Sequence, residues 1–251
     1  MILPDWTVFA VAVPAVLLAG VSKGGFGSGA AFAGASILAL VVPPGQALGI
    51  MLPLLMLIDL STLRPYWRRW SWIDARRLIW GGVPGVALGA ALYTVADADF
   101  FRLLIGGICI AFIGWQMSLR AGLLRRATRP MPGWAGVVAG LVAGFTSFVS
   151  HAGGPPAAVY LLSRGLDKTQ FQATTVLIFW LYNIVKFVPY AFLGIFTAQT
   201  LMLDVMLAPV AVLGAWLGVR AHRIVPERLF FGITYVLLAV TGAKLIWDAL
   251  T

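Results

Sequence analysis

The chain has 251 residues, of which 61% are hydrophobic and only 11% are charged, and its mean hydropathy is +0.93. A water-soluble protein needs roughly a quarter of its residues charged, so this composition excludes a soluble fold and a separate water-soluble lobe. The formal net charge of +9 comes from basic residues in loops between apolar runs, which is typical of cytoplasmic membrane loops and not of a nucleic-acid surface. One cysteine and two histidines exclude an internal disulfide and a cysteine- or histidine-rich metal centre.

Apolar segments follow one another along the whole chain. A helix that crosses a bilayer needs about 20 mostly apolar residues, so a chain of this length supplies about eight to ten crossings. Two of the segments, 29–42 and 155–163, are too short to cross. The predicted segments are 6–21, 29–42, 46–63, 77–95, 100–119, 133–149, 155–163, 170–193, 200–219 and 229–248.

The loops between these segments indicate the topology. Basic residues cluster in 64–77, in 120–129, at Arg164 with Lys168, and in 220–228, which places these loops in the cytoplasm. The loop 95–99 carries two aspartates and 194–200 carries no charge, so both are expected outside. Segment 46–63 therefore runs inward and segment 170–193 runs outward. The two halves are predicted to have opposite orientations, with both termini external.

An inverted repeat should leave weak internal similarity, and the sequence contains it at one nearly fixed offset. Residues 124 positions apart match in order from the first hairpin to the end of the first full span. The matches are Leu18-Ala19-Gly20 with Val142-Ala143-Gly144, Ser22 with Thr146, Gly29 with Gly153, Asp59 with Asn183, and Pro65-Tyr66 with Pro189-Tyr190. The predicted fold is thus all-α and polytopic. Residues 1–125 form the first repeat and 126–251 the second, each a broken hairpin (6–42 or 133–163) followed by three spans.

Each hairpin is interrupted by a glycine-rich stretch, GVSKGGFGSGAAFAG from Gly20 and GFTSFVSHAGGPPAAVYLL from Gly144. Unwound backbone survives inside a membrane only where it is buried in protein or lines a wet cavity. Pro155 and Pro156 suit the first turn of the helix that resumes after the second break. Each tip is therefore expected to present the N-terminus of a short helix, an anion-binding feature, near the middle of the membrane.

The polar residues of the two tips agree with an anion site, because they are donors and include no carboxylate. The candidate substrate-binding residues are Ser22, Lys23, Gly24, Gly27, Ser28 and Gly29 in the first tip, and Thr146, Ser147, Ser150, His151, Gly153 and Gly154 in the second. Their alternative roles are structural: hydroxyls that bond to their own helix, a packed histidine, and a lysine that extends to the membrane interface. The hypothesis requires that the tips share one chamber and that acidic groups do not close it.

Three further polar residues lie within predicted spans. Asn183 and Lys186 are included among the candidate binding residues because polar groups in a membrane usually face a partner or a cavity. Asp59 lies only five residues before Arg64, so we expect it to pair with the cytoplasmic basic cluster. Outward extension of Lys186 to the interface stays an alternative.

These motifs resemble those of the sulfite exporter TauE/SafE family of bacterial membrane transporters, over essentially the whole chain. The most specific part is GFTSFVSHAGGPPAAVYLLSRGLDKTQF, and the first copy is a looser match. The run of consecutive glycines usual in the family is reduced here to Gly153-Gly154, and to Gly27-Ser28-Gly29-Ala30 in the first half. The resemblance implies transport of small sulfur-containing anions such as sulfite or organosulfonates.

The predicted function is secondary transport, as an exporter, of a small anion held between the tips, in the inner membrane of a bacterium. An anion channel and a membrane-embedded assembly protein are the alternatives. An intramembrane enzyme using Ser150 and His151 is disfavoured, because adjacent residues rarely point at each other and no carboxylate orients the imidazole. No cofactor and no nucleic acid are expected; the partners are the anion and the lipid bilayer, with a homodimer left open.

Overall fold

A computed structural model describes residues 6–26, 31–123, 130–221 and 227–251, with the backbone alone for 221 and 227–231. The described chain contains ten α-helices and no β-strand, as the sequence predicts. The helices are α1 Trp6–Val21, α2 Phe32–Leu38, α3 Pro44–Leu63, α4 Trp72–Tyr93, α5 Ala98–Arg120, α6 Gly133–Ser150, α7 Gly154–Ser163, α8 Lys168–Phe192, α9 Ala198–Ala221 and α10 Glu227–Leu250. A π-helical turn, Ser22–Phe26, extends α1, and a 3-10 turn, Arg64–Tyr66, extends α3.

Seven of the described helices are long and apolar enough to cross a membrane. They are α1, α3, α5, α6, α8, α9 and α10, and the predicted segments agree with their bounds to within a few residues. Helix α4 has 22 residues, which is enough length to cross. It is less apolar because its first turns contain Asp74, Arg76 and Arg77 and because it contains several glycines. Helices α2 and α7, with seven and ten residues, are too short.

The start of α4 differs from the prediction. The sequence interpretation placed Arg76 and Arg77 in a loop, whereas the helix already begins at Trp72. The N-cap residue Ser71 donates its hydroxyl to Asp74 at 2.7 Å, and the carboxylate lies in the first turn, where the helix dipole favours negative charge. The helix therefore starts about five residues earlier than its apolar run indicates.

The helices pack around two main apolar cores, and each hairpin joins helices from both halves of the sequence. The first core contains the first hairpin together with α3, α5, α9 and α10. The second contains α4, α6, α7 and α8, so it surrounds the second hairpin. Representative buried side chains are Ala15, Phe32, Met51, Phe112, Leu207 and Leu245 in the first core and Leu78, Ala143, Tyr160 and Ile178 in the second.

Glycines let the long helix of each hairpin approach a helix from the other half of the chain very closely. A Cβ added to Gly20 of α1 would lie 2.8 Å from the Gly214 backbone of α9. A Cβ added to Gly144 of α6 would lie 2.1 Å from the Gly82 carbonyl oxygen of α4. Small residues of this kind are typical of helix contacts inside membranes, where close backbone packing replaces the hydrophobic effect.

The outer surface of the bundle is apolar. Exposed leucines, valines and phenylalanines cover the outer faces of most helices, including Leu88, Val205 and Phe192. Several exposed tryptophans lie near helix ends, with Trp67, Trp72 and Trp134 beside the basic loops and Trp6 and Trp247 near the two ends of the described chain. Aromatic residues at both ends of an apolar belt are typical of a bilayer-spanning protein.

Candidate functional site

The first tip is a continuation of α1 in which the backbone widens into a π-helical turn. Gly24 and Gly25 allow this turn to lie against α9, since an added Cβ at Gly25 would come within 2.2 Å of the Gly218 carbonyl oxygen. Gln172 of α8 donates to the Lys23 carbonyl oxygen at 2.8 Å, and the Tyr66 hydroxyl lies 3.5 Å from the Gly24 carbonyl oxygen. These contacts supply partners for backbone groups that an ordinary helix would bond internally.

Lys23 forms a buried ion pair with Asp59 of α3. The other oxygen of Asp59 accepts a hydrogen bond from the Asn183 amide of α8 at 2.6 Å. Both Lys23 and Asp59 are at most 4% exposed, so the pair lies inside the protein. The expectation that Asp59 would pair with the cytoplasmic basic cluster is wrong, because α3 places this carboxylate against Lys23 of the first tip.

The second tip is a true break between α6 and α7. Helix α6 ends at Ser150, and His151 takes a left-handed backbone conformation, with φ of 57° and ψ of 14°. The Ala152 N–H then reaches back to the Thr146 carbonyl oxygen at 3.1 Å. Helix α7 resumes at Gly154 with prolines in its first turn, as predicted. Since Pro155 and Pro156 have no N–H, the turn retains only the N–H groups of Gly153 and Gly154 as early donors.

Lys186 of α8 reaches into this second tip. Its ammonium donates to the Ser147 carbonyl oxygen at 3.1 Å and lies 2.8 Å from His151 Nδ1. His151 Nε2 lies 3.4 Å from the Leu48 carbonyl oxygen, which can only accept. The proton of a neutral imidazole therefore belongs on Nε2, which leaves Nδ1 as the acceptor for Lys186. Extension of Lys186 to the membrane interface does not occur, because its side chain is fully buried.

The two tips share one small chamber. Its volume, taken as the space open to the centre of a water molecule, is about 10 Å³, which is room for about one water. It is lined by Lys23, Ala31, Leu55, Ser147, His151, Phe179, Asn183 and Lys186. Each of these residues is buried, so the chamber lies inside the protein. One requirement of the sequence hypothesis, that the tips lie close together, is met.

The other requirement, that no acidic group closes the site, is not met at the first tip, where Asp59 is the partner of Lys23. The second tip differs. No carboxylate within the described residues lies in salt-bridge contact with Lys186, whose recorded partners are both neutral.

Five of the predicted binding residues line the chamber: Lys23, Ser147, His151, Asn183 and Lys186. The others described lie beside it. The Thr146 hydroxyl bonds to the Val142 and Ala152 carbonyl oxygens, and the Ser150 hydroxyl bonds to its own helix at Thr146. Gly24 packs against α9, Gly153 packs against Ala143 and Phe179, and Ser22 and Gly154 are buried next to the turns. The predicted site residues Gly27, Ser28 and Gly29 lie outside the described residues.

Sequence reasoning missed several residues that shape the chamber. Leu55 and Phe179 line it but resemble ordinary core residues, and nothing in their sequence context distinguishes them. Gln172 and Asp59 are polar residues in apolar helices, a signal that was present for both. Asp59 also matches Asn183 at an offset of 124 residues, and the structure brings these two side chains into direct contact.

Comparison with known proteins gives one match. A family model described as sulfite exporter TauE/SafE matches residues 12–245, which is nearly the entire chain. No curated protein and no solved structure gives a significant match.

Proposed function

Because the chain belongs to the sulfite exporter TauE/SafE family of membrane transporters, we propose that it carries sulfite or an organosulfonate across the bacterial inner membrane, as an exporter, by alternating access. The family is one of transporters, so the chain is a multi-pass membrane transporter and not an enzyme. The anion binds in the chamber between the two hairpin tips.

The surplus of hydrogen-bond donors in the chamber is the observation that carries this assignment. An ammonium has three donors, and Lys186 uses two of them on Ser147 and His151. Lys23 has one carboxylate partner within the described residues, and one Asn183 N–H is used by Asp59. Among the described residues, no further hydrogen-bond partner is found for the third donor of Lys186 or for the second N–H of the Asn183 amide. A site with spare donors and few free acceptors suits an oxyanion.

Pairs of equivalent contacts support the inverted-repeat architecture of the proposal. The Tyr66 hydroxyl contacts the Gly24 carbonyl oxygen, and 124 residues later the Tyr190 hydroxyl donates to the Phe148 carbonyl oxygen at 2.6 Å. The hydrogen bond between Asn183 and Asp59 joins two residues that are themselves 124 positions apart. A contact between equivalent residues is expected where two repeats meet at their common axis.

The small size of the buried chamber supports alternating access. A volume of about 10 Å³ is far below what a sulfonate group needs, and all lining residues are buried. The chamber must therefore widen to admit the anion, and a movement of one hairpin relative to the other half would widen it. The close contacts of α1 with α9 and of α6 with α4 are the surfaces along which such movement would occur.

The test is anion transport by the purified protein in proteoliposomes. Lys23→Gln and Lys186→Gln should each raise the substrate concentration for half-maximal transport roughly tenfold or more, since a hydrogen bond to a charged group is worth about 1.5–3 kcal/mol. Lys244→Gln is the control, because Lys244 is an exposed lysine on α10 whose partner is Asp248. Equal behaviour of all three variants would show that the anion binds elsewhere.

The same vesicles distinguish a carrier from a channel. Saturation with rising anion concentration, and accelerated uptake of labelled anion when unlabelled anion is preloaded, are expected of a carrier. Flux that rises without saturation would contradict alternating access even if the anion is sulfite or a sulfonate.

A further inference from the structure

The chamber holds a small and countable set of charges. Among the described residues that line it or contact its lining directly, the carboxylate, amine and imidazole groups are those of Lys23, Lys186, Asp59 and His151. Of the other buried carboxylates described, Asp74 lies in a separate network with Tyr160 and Arg164, and Asp204 does not line the chamber. The balance of charge inside the closed site therefore depends on four side chains.

The hydrogen-bond partners of these groups are consistent with one set of charges. A protonated Lys186 donates to the Ser147 carbonyl oxygen and to His151 Nδ1. His151 is then neutral, with its proton on Nε2, which faces a carbonyl oxygen. Lys23 and Asp59 form an ion pair, and Asn183 donates to the second carboxylate oxygen. Two ammonium groups against one carboxylate leave one positive charge.

We propose that this single surplus charge makes the site selective for anions of charge −1, so that a sulfonate or hydrogen sulfite is bound and a dianion of the same shape is rejected. The inference rests on the proposed function, because it concerns the same chamber. Burial disfavours any uncompensated charge in the chamber, since the hydration that a charge loses on leaving water must be replaced by partners inside the protein. A monoanion brings the sum to zero, whereas a dianion leaves it at −1.

Asp59 sets the selectivity in this arrangement. Its carboxylate neutralises the charge of one of the two lysines. It therefore removes the second positive charge that a dianion would need. Asn183 is its direct neighbour and its counterpart at an offset of 124 residues. The two side chains have nearly the same shape, so exchanging them moves the negative charge by a few ångströms without changing the total.

The experiment compares methanesulfonate with sulfate, which share a tetrahedral sulfur and differ by one unit of charge. Purified protein in detergent is heated at increasing concentrations of each anion, and the midpoint concentration of the rise in melting temperature gives the apparent affinity. Four proteins are compared: wild type with a site charge of +1, Asp59→Asn with +2, Asn183→Asp with zero, and the double exchange Asp59→Asn/Asn183→Asp with +1. Only saturable stabilisation is counted, because sulfate also stabilises proteins through a general salt effect that does not saturate.

Wild type should bind methanesulfonate at least about tenfold more tightly than sulfate, because one buried unit charge a few ångströms away is worth more than that factor. Asp59→Asn should reverse the preference, Asn183→Asp should lose saturable binding of both anions, and the double exchange should return the preference to methanesulfonate. If Asp59→Asn is too unstable to purify without an anion, the Asn183→Asp and double variants still test the charge balance.

Two results would count against the inference, and they differ in what they contradict. Saturable binding of both anions by wild type, with a ratio that Asn183→Asp and Asp59→Asn leave unchanged, overturns the charge assignment but keeps the anion site. Absence of saturable binding of either anion in all four proteins overturns the anion site itself.

Discussion

The two hairpin tips bring a lysine into one chamber by different routes. At the first tip, Lys23 belongs to the turn itself and is paired with Asp59. At the second tip the lysine is Lys186 of α8, which is held by a carbonyl oxygen and by the neutral ring of His151. The charge of Lys23 is neutralised by its neighbour Asp59, whereas the described polar partners of Lys186 include no carboxylate. Two glycine-rich breaks with related sequences can therefore differ in electrostatic role, because neighbouring helices supply the partners.

The tips also differ in how their short helices are anchored. In the second hairpin, α7 is tied to α4 by a polar network in which Asp74 accepts from Tyr160 at 2.9 Å and from Arg164 at 3.0 Å. In the first hairpin, α2 is held by apolar packing, including an edge-to-face contact of Phe32 with Phe112. The Ser36 hydroxyl bonds only to its own helix, at the Phe32 carbonyl oxygen, and receives a weak contact from a cysteine thiol. The short helix α7 is thus fixed to α4 by directional polar bonds, whereas the contacts described for α2 with other helices are apolar apart from the weak thiol contact.

The largest difference in stability between the tips should follow from removing Asp59. Asp59→Leu leaves Lys23 buried without its partner and should cost about 3–5 kcal/mol of unfolding free energy, whereas Lys23→Met/Asp59→Leu should recover most of the loss. Lys186→Met should lower the unfolding free energy less than Asp59→Leu, because it leaves no buried charge without its ion-pair partner. Melting temperatures in one detergent without added anion measure all three variants. A double variant no more stable than Asp59→Leu alone would contradict a direct pairing.

The close backbone packing at both tips should be sensitive to an added Cβ atom. Gly25→Ala places a Cβ 2.2 Å from the Gly218 carbonyl oxygen, and Gly153→Ala places one 2.6 Å from the Ala143 carbonyl oxygen. Each should lower the unfolding free energy by about 1–3 kcal/mol, because the obstructing atoms are backbone and cannot rotate away.

Gly107→Ala is the matched control, since nothing lies within 4 Å of its added Cβ. This change in the middle of α5 should be neutral or slightly stabilising, as alanine favours a helix. If Gly25→Ala and Gly153→Ala melt at the same temperature as Gly107→Ala, the tips are less tightly packed than the structure indicates.

The anchors of the two short helices should also differ in their contribution to stability. Tyr160→Phe removes a donor to the Asp74 carboxylate and should cost about 1.5–3 kcal/mol, while Ser36→Ala removes a bond within one helix and should cost about 1 kcal/mol or less. Both changes remove one hydroxyl from a buried position, which makes their melting temperatures directly comparable. Equal costs would mean that the polar network does not hold α7 more firmly than packing holds α2.

Much of the fold could be predicted because a membrane imposes a strong local constraint. Apolar runs bounded by charged loops identified the long helices, and Pro155 with Pro156 marked the start of α7. The start of α4 was placed late because its first turn is charged, so hydropathy alone could not find it. The candidate site was predicted in part: Lys23, His151 and Lys186 were identified as polar residues in apolar surroundings, but their partners were not.

The sequence by itself determined that the chain is a helical membrane protein, where its helices break, and which polar residues lie in those breaks, because these properties depend on residues near each other along the chain. Only the tertiary structure decided that Asp59 pairs with Lys23, that Lys186 is held by neutral acceptors, and that both lysines face one closed chamber. These contacts join α1, α3, α6 and α8, and a side chain on a helix can face any of several neighbours until the helices are packed.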